Sequence, residues 1–253
     1  MDQYPVKCKN MCDYASLKAI NTLIKEDRFL LVRNVITVKT PFGELLKLDH
    51  KTSIQKFLAL NAIKAWNGEK LVIGDQEYEI DSELVRKSLS LSIDGTKIIK
   101  PNRDENHVPI FIKHAIPQMC KDRNRKKFNK HVVAVFRSIE DAGVIGEFDE
   151  IVKLSKLYVA LIFSALLFPR SKRIPLEYLY LLDDSHFDDL KSYRFDIEVA
   201  KFLRDGIQTA KTAKTRSASV SGCLHIIECL YSQEKLSRTL LFRINVNHGR
   251  KTM

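Results

Sequence analysis

The stretch Leu157–Phe168, "LYVALIFSALLF", is the longest uncharged apolar run in the chain. Its twelve residues are too few to cross a bilayer, which takes about 20 in a helix. A run of that length suits a buried helix instead, and the preceding "EIVKLSK" continues the helical reading. Downstream, "PLEYLYLL" has Pro175 at a helix start, where a missing N–H costs nothing. The segments "FDIEVAKFLRDGIQTAK" and "SVSGCLHIIECLY" continue the helical pattern, and "KHVVAVFRSIEDAGV" precedes it.

The first hundred residues read differently. "YASLKAINTLIKE" places Leu17, Ile20, Leu23 and Ile24 on one helical face. "RFLLVRNVITVKT" (28–40) is rich in β-branched residues and predicts a strand. "TSIQKFLALNAIKAW" is an amphipathic helix opening on Thr52 or Ser53 as its cap. "KLVIGDQEYEI" is two short strand-like runs about Gly74-Asp75, a hairpin signal, and Asp81 caps the helix "SELVRKSLSL", with Glu83 favouring its dipole. "SIDGTKIIKPNRDENHVP" (92–109) carries Gly, Pro and alternating charge and reads as a linker or surface loop. The expected fold is therefore mainly α, a helical domain with a small β-hairpin or sheet element in its N-terminal part. The expected division is 1–100, a basic loop and linker region over 101–131, and a helical part over 132–253, with 1–253 as one domain the alternative. There is no internal repeat and no heptad run.

The chain has 253 residues, 45% hydrophobic and 29% charged, with 9 Gly and 7 Pro, the balance of a soluble globular protein rather than a disordered one. Its formal charge of +11 favours acidic partners, nucleic acid first and an anionic membrane surface second. The excess lies in 101–135 and 201–253, while 136–200 is net acidic. Cys8, Cys12, Cys120, Cys223 and Cys229 are odd in number and scattered, which is no disulfide framework and points to a reducing compartment. "MDQYPVKCKNMCDY" lacks the apolar core of a secretory signal. The expectation is a soluble, intracellular protein without a transmembrane segment.

Three constellations have residue types that can carry chemistry. "KDRNRKKFNKH" (121–131) offers Lys121, Arg123, Arg125, Lys126, Lys127 and Lys130 for phosphate contact or nuclear import. "FPRSKRIP" and "AKTAKTRSAS" add smaller basic groups, and a solvated charged loop is the competing use of all three. Phe128 is almost alone among them as an aromatic, so single-strand stacking is not indicated. In "SVSGCLHIIECLY", His225, Glu228 and Cys229 share one side of a helix and Cys223 lies off it, short of a closed zinc shell. The competing stripe of Leu224, Ile227 and Tyr231 makes a core helix. "LLDDSHFDDL" gathers four aspartates about His186 without the spacing of a calcium loop, and predicts a capped, solvated turn between helices. Phosphate-binding Gly loops, dinucleotide Gly patterns, His-Glu-x2-His and Gly-x-Ser-x-Gly are all missing from the sequence.

Three patches together resemble the plant mobile domain family and its transposon-derived relatives. "LVIGDQEYEIDSELVRKSLSLSIDG" is similar to that family's hairpin-then-helix element. "LIFSALLFPRSKRIPLEYLYLLDD" resembles its long apolar helix, "LFP" exit and Pro-started helix ending in acids. "FDIEVAKFLRDGI" with "SVSGCLHIIECLY" resembles its last helical pair, opened by Gly-Cys. Where relatives often carry a tryptophan, this chain has Phe195 and Ile197. The resemblance implies a helical, nuclear domain of mobile-element origin, with relatives linked to transposon silencing and genome maintenance. The family is also described as aminotransferase-like, but no cofactor lysine can be placed here. Relatives with a SUMO-protease-type domain have a nucleophile segment that is not present in this chain.

The resulting expectation is a non-enzymatic nuclear domain, with the cytoplasm as the alternative location, that contacts protein or nucleic acid, with no cofactor, metal or evident small-molecule substrate. The alternatives are a remnant SUMO-protease-type or metal-dependent hydrolase, using His186 with its aspartates or Cys223, His225 and Cys229, and a degenerate element product.

Overall fold

The computed structural model describes residues 7–48, 57–102, 104, 108–117, 123–140, 147–213 and 217–233. The apolar run forms the second half of α7 (Phe148–Ile162) and a π-helical turn, Phe163–Leu167. From Leu154 to Phe168 every residue is buried, so this segment has no solvent face and must be wrapped on all sides. The wrapping comes from α1 (Tyr14–Leu23), α2 (Leu30–Lys39) and α6 (Arg125–Glu140), which all pack against it. Widening the helix to a π turn redirects carbonyls sideways. The Ala165 carbonyl accepts the Asp13 amide at 2.8 Å, which fixes the start of α1 to the central helix. At the turn's start Phe163 meets Phe42, Phe195 and Phe168 in a buried ring cluster, 5.8 Å from Phe42 and 5.5 Å from Phe195 between centroids.

Residues 28–40 are not a strand. They form a 3-10 turn (Asp27–Phe29) and α2. Phe29, Val32 and Ile36 are buried at spacings of three and four, whereas Leu30, Leu31 and Val38 are exposed. The apolar residues left on the outer face disguised the helical period, and packing on α7 overrode the β-branched preference.

The antiparallel hairpin lies where expected, β2 (Leu71–Ile73) with β3 (Gln76–Tyr78), turning at Gly74 with φ 64°. The Asp81 carboxylate accepts the Leu84 amide at 2.8 Å at the start of α4 (Ser82–Leu89). Thr52 and Ser53 lie outside the described residues, and α3 is described over Leu58–Ala65. The long helix α10 (Phe195–Thr212) covers this region. Its Gln208 accepts from the Trp66 indole at 2.8 Å, Arg204 donates to the Ile80 carbonyl and Lys211 to that of Trp66.

A second, parallel pair joins β1 (Lys7–Asn10) to β4 (Ser217–Val220) in the register Lys7↔Ser217 to Asn10↔Val220. The part of "SVSGCLHIIECLY" read as the start of a helix is thus a strand end, and the final helix, α11, spans 224–233. Gly222 makes the corner with φ 107°, and a Cβ there would lie 2.7 Å from the Leu203 backbone. A Cβ on Gly206 would lie 1.9 Å from the Ser221 carbonyl, so α10 and β4 touch backbone to backbone.

The remaining helices are short: α5 (Ile110–Ala115), α8 (Leu176–Leu179) and α9 (Asp184–Phe187). Segment 92–102 has no regular structure beyond a bridge of Lys97 to Tyr193, yet it is tied down: the Asp94 and Lys97 amides donate to Lys191 and Ser192, and the Asn102 amide to Glu177. Buried apolar residues from Tyr14 to Leu230 form a single cluster. Among the described residues, no helix is long and apolar enough to cross a membrane.

Candidate functional site: a basic seam and its groove

Two basic segments distant in sequence are hydrogen-bonded to each other. Asn124 pairs with Arg173 in an antiparallel bridge, the Arg125 amide donates to the Lys172 carbonyl at 2.8 Å, and the Ile174 amide to the Arg123 carbonyl at 3.2 Å. Backbone pairing of this kind fixes the two segments in register. It sets Arg123 and the first turns of α6 beside Arg170, Lys172 and Arg173. Lys126, Lys127 and Lys130 are exposed on α6, as are Arg170, Lys172 and Arg173, and Arg123 is half-buried. Lys121 lies outside the described residues.

Arg125 departs from its neighbours and does not face solvent: it is 3% exposed. It shares the inner face of α6 with Phe128, Val132 and Phe136, three, seven and eleven residues on. Its Nη1 donates to the Ser164 carbonyl of the π turn at 3.3 Å. Burial lowers its pKa, opposed by the nearby Asp13 carboxylate. Asn129 donates to the same carboxylate at 2.8 Å and accepts from Ser164. Arg125 is therefore a structural cation and not a phosphate contact.

The seam borders a groove of about 740 Å³ whose floor is α10. Arg123, Arg170 and Arg173 line it, with Lys201 from α10. Arg170 is held from two sides, by Glu177 and by the Phe202 ring 5.5 Å beneath its guanidinium. Three carboxylates also line the groove: Glu177, Glu198 and Asp205. Glu198 accepts from the Tyr178 hydroxyl at 2.7 Å, and burial, with that bond, drives the phenol far above its ordinary range. Tyr178 is locked in turn by stacking on Phe168 at 3.9 Å.

The other two constellations are differently occupied. In the acidic turn, Asp184 pairs with Lys156, Asp188 with Lys39 at 2.7 Å and Asp189 with Lys97 at 2.7 Å. His186 lies 3.0 Å from the Tyr193 hydroxyl through Nδ1. Asp183 sits at the start of α9 without a side-chain capping bond, so ion pairing to three separate elements takes the place of the expected cap. On α11, His225 lies 3.4 Å from Glu228 through Nδ1 and 3.4 Å from the Cys229 sulfur through Nε2. Burial pulls this imidazole down, but the hydrogen bonds and charges of Cys229 and Glu228 outweigh it and lift the group to about 9. Burial pushes the Cys12 thiol up to about 11 and the Cys223 thiol well above its usual range. Among the described residues, no group of three or more His, Cys, Asp and Glu side chains is placed to hold a metal ion.

In sequence "FPRSKRIP" and 121–131 lie far apart and nothing marks Lys201; only the tertiary pairing and the groove bring them together. No family model matches this chain, and neither a curated protein nor a solved structure does.

Proposed function

We propose that this is a non-enzymatic nuclear interaction domain that contacts nucleic acid through the basic seam. The observation that carries the proposal is the backbone pairing of 123–125 with 172–174, which concentrates cations from two segments on one face. Helical cations spaced along a groove-sized face suit phosphates, whose binding releases counterions and so depends steeply on salt. The resemblance to the plant mobile domain family supports the nuclear location, the mobile-element origin and a link to transposon silencing or genome maintenance.

The test is fluorescence anisotropy of labelled duplex DNA against the full chain at low and near-physiological salt. The expected slope of log affinity against log salt is about −0.9 per phosphate contacted. Replacing Lys126, Lys127, Lys130 and Lys172 by Gln should make that slope shallower by about 3 to 4. Thermal stability should be unchanged, because these side chains are exposed. No binding at low salt, or a slope the variant leaves intact, overturns the reading.

A further inference from the structure

The groove beside the seam differs from it in chemistry as well as shape. We propose that it takes a single nucleotide by its terminal phosphate, so that a phosphorylated strand end docks there while the seam holds the flanking backbone. This rests on the reading of the seam given above.

Size permits it: about 740 Å³ falls within the 300–1,000 Å³ range of small-molecule sites. Two of the cations have their backbone fixed, and a third has its side chain held. Arg123 and Arg173 are placed by paired backbone, and Arg170 is clamped between Glu177 and Phe202. Rigid guanidinium forks suit the several oxygens of a phosphate better than a mobile ammonium does. A terminal phosphate also carries more charge than a backbone diester near neutral pH, its second pKa being about 6, so it gains more from three arginines.

The carboxylates decide between a strand end and a strand passing through. Glu177, Glu198 and Asp205 all line the groove, and a polyanion laid along it would meet each of them at a cost. Glu177 is already taken up by Arg170, and one phosphate at Arg123 and Arg173, whose backbones are paired, meets fewer carboxylates than a polyanion does. The uncharged sugar and base can then donate their hydroxyl and amino groups to Glu198 and Asp205. The Tyr178 hydroxyl bond and the Phe168 stack hold Glu198 in place for that role.

The same phosphate chemistry can come from a strand end or from a free nucleotide, and the experiment separates them. A short duplex with a single-stranded overhang is prepared with a terminal phosphate or a terminal hydroxyl. Each is titrated against the full chain, alone and with free adenosine monophosphate as competitor. The phosphorylated form is expected to bind about tenfold tighter, the scale of one added charge-assisted contact. Lys201→Gln and Lys201→Glu, at a groove residue outside the seam and each checked for an unchanged melting temperature, should remove that increment and leave most of the binding of the hydroxyl form. If the free nucleotide abolishes the increment at micromolar levels, the groove takes a nucleotide irrespective of its strand, which supports the site and identifies its source. Equal affinity for the two ends, with no competition by the nucleotide, overturns the inference while salt-dependent binding of the hydroxyl form leaves the seam reading standing. Loss of binding by both forms at low salt overturns the seam reading, and an increment unaltered in both variants overturns the placement in the groove.

Discussion

The acidic turn 183–189 and the basic seam 123–130 with 170–173 are both dense runs of like charge, and they have opposite fates. In the turn, Asp184, Asp188 and Asp189 each find a lysine on a different element, α7, α2 and the 92–102 segment. Its charge is used to tie the fold together. In the seam, backbone pairing brings cation next to cation although like charges repel, with Glu177 on Arg170 and Asp13 near Arg125 as counter-charges. One run is tied to three other elements, and the other keeps Lys126, Lys127, Lys130 and Lys172 exposed on the basic seam. A charge run in sequence therefore says little until its counter-charges are located.

The sharpest way to break this contrast is inside one run. Arg125 and Lys126 are adjacent, yet the first is buried and the second exposed. Arg125→Met should cost about 3 kcal/mol of stability, because it leaves Asp13 without its buried counter-charge and the Ser164 carbonyl without a donor. Lys126→Gln should leave stability unaltered and act only on the salt dependence of binding. Urea denaturation of both variants checks this, and a neutral Arg125→Met would mean that its guanidinium is not buried in solution.

A third polar cluster sharpens the comparison, since His225 and Glu228 are buried and meet each other and Cys229 on one helix. His225 is raised to about 9 by Cys229 and Glu228, against an ordinary value near 6.5. The folded state thus binds a proton more tightly than the unfolded one. The stabilisation is complete below about pH 6.5 and is lost as pH rises through about 9, an effect of order 3 kcal/mol. Melting temperature should fall across that window in the native chain, and His225→Asn should flatten the fall. A native profile that is level from neutral to mildly alkaline pH would contradict the arrangement.

What could be read from sequence follows from where the decisive contacts lie. The α7 run was legible because an unbroken apolar stretch needs no partner to declare itself buried, and Asp81 and Gly74-Asp75 were legible because caps and turns are local. Segment 28–40 was misread because Leu30, Leu31 and Val38 are apolar yet exposed, which blurs the helical period. β4 was invisible because its reason for being a strand is β1, at the other end of the chain. Arg125 did leave a signal: it stands in phase with Phe128, Val132 and Phe136, so the helical period alone separates it from Lys126, Lys127 and Lys130. The groove left none, because Arg123, Arg173 and Lys201 converge only through tertiary packing.

The smallest expected effect concerns a lysine that looks indispensable. The Lys156 side chain is 5% exposed while its partner Asp184 is 99% exposed, so the ion pair joins a buried stem to a wet carboxylate. Its ammonium also lies 5.6 Å from the Phe111 ring and 5.2 Å from that of Phe187. A surface-facing pair contributes about 0–1 kcal/mol, and much of what Lys156 supplies is the packing of its methylenes between the rings. Lys156→Met keeps that packing and relieves the desolvation of the charge, so stability should stay within about 1 kcal/mol of the native value. Lys156→Ala should lose more, by removing the stem. If Met and Ala prove equally costly, the charge and not the stem is what α7 needs at this position, and the ion pairs of the acidic turn hold the fold more strongly than their exposure implies.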